Sequence, residues 1–239
     1  MANGVAQIRR SVMTLALPVT VSSLLQRTEG IVAVFLVGGL GAIPIAAVGL
    51  GQLLAFIATT LVSGLSVGTN VIIAQQWGAR RYEEAGQASR HFLGLSIFVS
   101  FALALLGLSA NGLIMQLLGA QPEVIGLALP YSNLIFMVIP FTVLLAVLSS
   151  ILQGTGDTKT PMYAMIMVNV LHIAIAYPLI YGQWGLPAFG VKGAAVAVGI
   201  AEATGSVYLL LRCRAILKPS KRLRRDLLRT IWQVGAPVS

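Results

Sequence analysis

Charge is what this sequence has least of. Only 10% of its 239 residues are Asp, Glu, Lys or Arg, and acids are the scarcer sign, 7 against 16 bases. A soluble domain carries roughly a quarter charged residues. With 57% apolar residues, a chain of this length cannot hide its apolar surface in a soluble core, so lipid must solvate most of it. Cysteine is nearly missing too: Cys213 stands alone, which excludes a disulfide framework and leaves an unpaired thiol. Two histidines and seven acids form no group with metal-ligand spacing. The sequence also lacks a nucleophile–base pair and a nucleotide fingerprint, so no enzyme chemistry and no cofactor is expected. The turn from Gly154 to Lys159 has the composition of a phosphate loop but neither its full spacing nor a preceding strand.

What is present is long apolar runs. About 20 apolar residues cross a bilayer as a helix. Such runs predict spans at 12–38, 44–76, 88–117, 124–153, 161–182 and 190–212. Turn-formers separate them, at Gly38–Gly41, Gly78–Arg81, Gly119–Pro122, Gly154–Asp157 and Gly182–Pro187. The stretch after Arg10 runs too long for a signal-peptide core, so the first span reads as an uncleaved anchor. Pro140 and Pro178 are expected to kink spans four and five, and Gly64 with Gly68 to form a small-residue helix contact.

The net charge of +9 would suggest nucleic acid in a soluble protein, but here the bases sit in short loops and no nucleic-acid partner is expected. Cytoplasmic loops of membrane proteins carry the excess of Lys and Arg. Arg9, Arg10, Arg80, Arg81, Arg90, Lys159 and the eight bases from Arg212 to Arg229 fall on one side, and Lys192 alone on the other. A cytoplasmic N-terminus in a multi-pass inner (plasma) membrane protein follows. From Lys218 to Val234, leucines and Trp232 recur at helical spacing between bases, the pattern of an amphipathic helix lying on an anionic leaflet.

The segment from Arg10 through Pro18 to Thr20 is echoed from Arg229 through Pro237 to Ser239, 219 residues later. One six-span unit separates them, as in transporters built from two similar halves. The expected organisation is a six-helix transmembrane lobe at 1–213, a basic cytoplasmic connector at 214–229, and the start of a seventh helix of a second lobe at 230–239.

Several stretches resemble multidrug and toxic compound extrusion (MATE) transporters. These are Ala16–Val19 with Leu24–Gln26, Val37–Gly41 followed by Ala46–Gly49, and Gly64–Gly68 with Ala74–Ala79. Leu152–Pro161 and Ile180–Gly182 with Gly190–Ala195 complete the set. They occur in family order over 16–213. The resemblance implies an all-α membrane protein, one lobe of a twelve-helix fold. It also implies export of small-molecule organic cations from the bilayer in exchange for H⁺ or Na⁺, with a C-terminal lobe of the same protein as the missing partner. Lipid-linked saccharide flippases share the architecture and are the alternative, though their cavity is expected to carry more cations.

Ionisable residues inside spans cost roughly 2.5–3.5 kcal/mol at a helix centre on insertion scales and point to function. Ser22, Gln26, Glu29 and Ala33 fall at i, i+4, i+7 and i+11 on one face of span one. In the family this span usually carries a coupling Asp, whose match here is Ala33. Glu29 lies one turn toward the cytoplasm and stands as its substitute, displaced by about 5–6 Å. In span five Asn169, His172 and Ala176 share a face, and the family's Asn and Asp or Asn match His172 and Ala176. A family Thr in span six matches Val198. A Glu29–His172 pair would hold and release a proton near neutral pH, which favours H⁺ over Na⁺, since Na⁺ wants several oxygen ligands. Both also have a reading as hydrogen-bonded packing residues. Glu202 shares a face with Ala195, Gly199 and Ser206, which suggests an interhelical hydrogen bond or a proton relay. Arg27 lies off the polar stripe and needs a partner, for which Glu202 is a candidate on charge. The cation-coupling and cavity set is thus Gln26, Glu29, Asn169, His172 and Glu202.

Overall fold

The computed structural model describes residues 2–185 and 187–217, with side chains from residue 13 onward. Helices account for nearly all of it: α1 (Ala2–Val37), α2 (Ala42–Gly78), α3 (Tyr82–Leu117), α4 (Pro122–Gly154), α5 (Lys159–Tyr181) and α6 (Val191–Cys213), with one 3-10 turn at Gly38–Leu40. No strand occurs among the described residues. All six helices are long and apolar enough to span a membrane. This is the expected all-α, six-helix bundle. The amphipathic segment at 218–234 and the start of a seventh helix at 230–239 lie outside the described residues.

Every boundary falls on an anticipated turn-former. Gly41 (φ 108°) and Gly182 (φ 71°) adopt left-handed backbone that L side chains avoid, which ends one helix and reverses the chain. Pro122 opens α4 at the first helical position, where its missing N–H costs nothing. At the start of α5, the Asp157 carboxylate accepts from the Thr160 amide at 3.0 Å and the Thr160 hydroxyl at 2.6 Å. Helix α3 begins at Tyr82, six residues before the apolar run at 88 from which its span was read. Glu83 and Glu84 in its first turn favour a helix N-terminus electrostatically, and the polar turn projects past the hydrocarbon. At 36 or 37 residues, α2 and α3 exceed what a perpendicular crossing needs. The prolines at 130, 140 and 178 all lie inside continuous helices.

Helix α4 occupies the middle, against α2, α3 and α6; α5 packs on α6, and α1 leans chiefly on α5. Small residues set these distances. A Cβ on Gly193 would come within 2.7 Å of the Leu179 carbonyl, so α5 and α6 meet backbone to backbone near their connecting turn. Gly205 lies against Val168 and Leu145 on the same seam, and the Tyr131 ring covers Gly51 between α4 and α2. Of the anticipated small-residue pair, Gly68 is buried beside Phe92 of α3, whereas Gly64 is exposed.

The last described residues, 214–217, fold back onto α3. The Arg90 guanidinium donates to the Leu217 carbonyl at 3.4 Å, and a Cβ on Gly86 would lie 2.7 Å from the Ile216 carbonyl. Arg90 and Arg212 therefore belong to one end of the bundle, as their joint assignment to one membrane side requires.

Two apolar clusters fill the bundle. One gathers Leu54, Val62, Ile139, Leu148, Val168 and Leu209. The other joins Ala33 and Val37 of α1 to Val48, Tyr131, Ile180 and Ala194 near the opposite end. Glu29, His172 and Glu202 fall in sequence between the members of these clusters on their own helices. These three ionisable side chains thus share a layer at mid-span.

Candidate functional site

Helix α1 buries Pro18, Ser22, Glu29, Ala33 and Val37, so the spacing argument holds for three of its four stripe residues. Gln26 is the exception and is exposed. Before Gly30, α1 rests chiefly on α5, and the residues away from that face are exposed. The tether to α2 is Gln52, whose Nε2 donates to the Gly30 carbonyl at 3.0 Å.

Glu29 is 9% exposed, and its Oε1 is buried with no hydrogen-bond partner among the described residues. Glu202 is 5% exposed, and its Oε2 accepts a short hydrogen bond from the Thr142 hydroxyl of α4. Helices α1 and α6, which carry the two acids, touch one another. Tyr131 of α4 is fully buried with its ring over Gly51 of α2, next to Gln52. Ser206 donates to the Glu202 carbonyl at 2.8 Å, which fixes the α6 turn below the acid. Small neighbours Ala195, Gly199 and Ser206 let α6 approach α4, with Val138 against Gly199, so Glu202 is interhelical.

His172 is fully buried, yet neither ring nitrogen has a hydrogen-bond partner among the described residues. No hydrogen bond joins Glu29 and His172 among the described residues. Asn169 is buried on the same α5 face and donates to the Met165 carbonyl at 2.9 Å and the Leu25 carbonyl at 3.3 Å. It ties α5 to α1 one turn below Glu29. Ala176 is buried and Val198 half-buried, so both family-matched positions lack a polar group.

Arg27 does not reach Glu202. It is exposed on the side of α1 opposite Glu29, and the ion pair formed among the described residues is the surface pair Arg81–Glu84, at 3.7 Å. The sequence reading missed Thr142, Gln52 and Tyr131. None is ionised at neutral pH or part of a polar run, and each matters only through a helix distant in sequence. No group of three His, Cys, Asp or Glu that could hold a metal occurs among the described residues. A buried carboxyl whose oxygen no described residue partners can hold a proton or receive a small cation.

The family profile MatE matches residues 18–178. A probable multidrug resistance protein, YoeA of Bacillus subtilis, is 30% identical over 96% of this chain and 52% of its own length. The multidrug resistance protein MdtK of Yersinia pestis is 28% identical over 94% of this chain and 50% of its own. A crystal structure of MATE in the bent conformation superposes with a TM-score of 0.84 at 28% identity, over 95% of this chain and 51% of that one. The chain spans about half the length of the relatives it matches.

Proposed function

Because the chain belongs to the MatE family and is a multi-pass membrane protein with the fold of one MATE lobe, we propose that it is the N-terminal lobe of a drug/cation antiporter. In this reading it sits in the inner membrane with its N-terminus in the cytoplasm, and the full-length protein exports organic cations in exchange for H⁺. The single observation that carries the coupling assignment is Glu29: a buried acid whose Oε1 has no hydrogen-bond partner among the described residues, on a helix that touches α6, which carries a second buried acid, Glu202. The names of the relatives, multidrug resistance proteins, support the substrate class.

Each residue has a defined part. Glu29 takes and releases the proton. Glu202, held by Thr142, makes a second negative charge in the layer unfavourable, so proton loss from one acid favours retention by the other. Gln52 and Asn169 hold α1 to α2 and α5 on either side of Glu29. Movement of α1 against those two tethers then links the protonation of Glu29 to the shape of the cleft. The few oxygen donors around Glu29 favour H⁺ over Na⁺.

The test is transport by the full-length protein in everted vesicles. Ethidium addition to wild type is expected to release protons, and Glu29→Gln to reduce that release at least tenfold with expression unchanged. Release that survives Glu29→Gln removes the coupling assignment, and failure of every organic cation to elicit release removes the antiporter reading. A lipid-linked saccharide flippase is the second reading; what favours it is the exposed Arg27, a cation placed mid-span.

A further inference from the structure

Arg27 is the one base at mid-depth in a described span, midway along Met13–Leu40. It lies at the centre of the exposed arc of α1, with Ser23 and Ile31 one turn to either side on the same face. A guanidinium facing hydrocarbon there is costly. The interface lies about 15 Å away on either side, too far for the side chain to snorkel. This face of α1 must therefore border water or protein.

Its counter-charge is absent from the lobe. Glu29 faces the opposite side of α1, and Glu202 is bound to Thr142. Glu83 and Glu84 open α3, Glu123 opens α4, and Asp157 caps α5, all at helix ends. No acid among the described residues can neutralise Arg27. Around it the face is graded. Toward the extracellular end Ile31 is 70% and Phe35 81% exposed. Toward the cytoplasm come Ser23 and Thr20, whose hydroxyls bond back to their own helix. On α2, one turn beyond the Gln52 that meets Gly30, Phe56 is exposed as well. A fixed cation beside open apolar and aromatic side chains matches an amphiphile that carries an acid.

We propose that Arg27 is the subsite for an acid group on the transported molecule, so that this lobe selects amphiphiles bearing a carboxylate or phosphate beside their cationic group. The proposal rests on the transporter reading above and narrows its substrate class from plain cations to zwitterions. The planar guanidinium can take a carboxylate through two parallel N–H···O bonds, which a lysine cannot reproduce in full.

The test is equilibrium binding to the full-length protein in nanodiscs, with three probes: norfloxacin, which carries amine and carboxylate, its methyl ester, and ethidium. Wild type is expected to bind norfloxacin at least tenfold tighter than the ester. Arg27→Gln should abolish that preference by weakening norfloxacin alone, and Arg27→Lys should keep part of it. An equal loss for all three probes in Arg27→Gln would mean that Arg27 pairs with protein, and overturns the subsite. An unchanged acid-to-ester ratio also overturns it. Repeating the measurement with and without phosphatidylglycerol separates the two acid sources: a preference abolished by the lipid assigns the anion to a phospholipid headgroup and overturns a drug subsite. Acid-selective binding without drug-driven proton release would refute the antiport reading while leaving this one standing.

Discussion

Replacing Gly193 by Ala tests the packing that places Glu202. The added Cβ would lie 2.7 Å from the Leu179 carbonyl carbon and oxygen and 3.1 Å from the Ile180 nitrogen. All three are backbone atoms, which cannot rotate away, so α5 and α6 must separate by several tenths of an ångström to restore ordinary contact. Overpacking of this kind costs about 1–3 kcal/mol. Alanine also gains helix propensity over glycine, up to about 1 kcal/mol. Gly126→Ala isolates that second effect: Gly126 also lies in the first turns of its helix, and a Cβ there meets nothing within 4 Å. Subtracting one variant from the other cancels the propensity gain and leaves the overpacking. The Gly193 variant should therefore be less stable than the Gly126 variant by about 1–3 kcal/mol. Thermal or denaturant unfolding in detergent micelles, followed by tryptophan fluorescence, reads the difference. Equal stability of the two variants would show that α5 and α6 are not in close contact at this turn.

Two further outcomes follow from single hydrogen bonds. Thr142→Val removes the donor to Glu202 and leaves a buried acid oxygen unsatisfied, which should cost about 1–3 kcal/mol of stability in micelles. Adding Glu202→Leu should recover much of that loss, because the polar group is then gone from both sides; no recovery would refute the pairing. Tyr181→Phe deletes the hydroxyl that donates to the Leu36 carbonyl at 2.8 Å. A loss of about 1 kcal/mol is expected. Hydrogen exchange should also quicken at the C-terminal end of α1, and unchanged exchange there would argue against the tether.

The spans were legible because each depends on a local quantity, the transfer free energy of some 20 residues, and each turn on glycines its own backbone requires. The buried face of α1 was legible for a related reason: Ser22, Glu29 and Ala33 share a face by helical geometry alone. Gln26 shares it by the same geometry but is exposed, because a face is buried only where a neighbour covers it, and before Gly30 α1 rests chiefly on α5. Charge suggested Arg27 as a partner for Glu202, since opposite groups attract. The fold instead turns Arg27 outward and gives Glu202 to Thr142.

By itself, then, the sequence determined that residues 12–212 cross a membrane six times, where the helices break, which family the chain resembles, and that Glu29 lies on a face turned inward. Only the tertiary structure decided what Glu202 meets. Helix order around α4, and the glycine contacts that draw α6 toward α4 and α5, place Glu202 on Thr142, 60 residues away in the chain. No local free energy encodes that distance; it emerges from the packing of whole helices against one another.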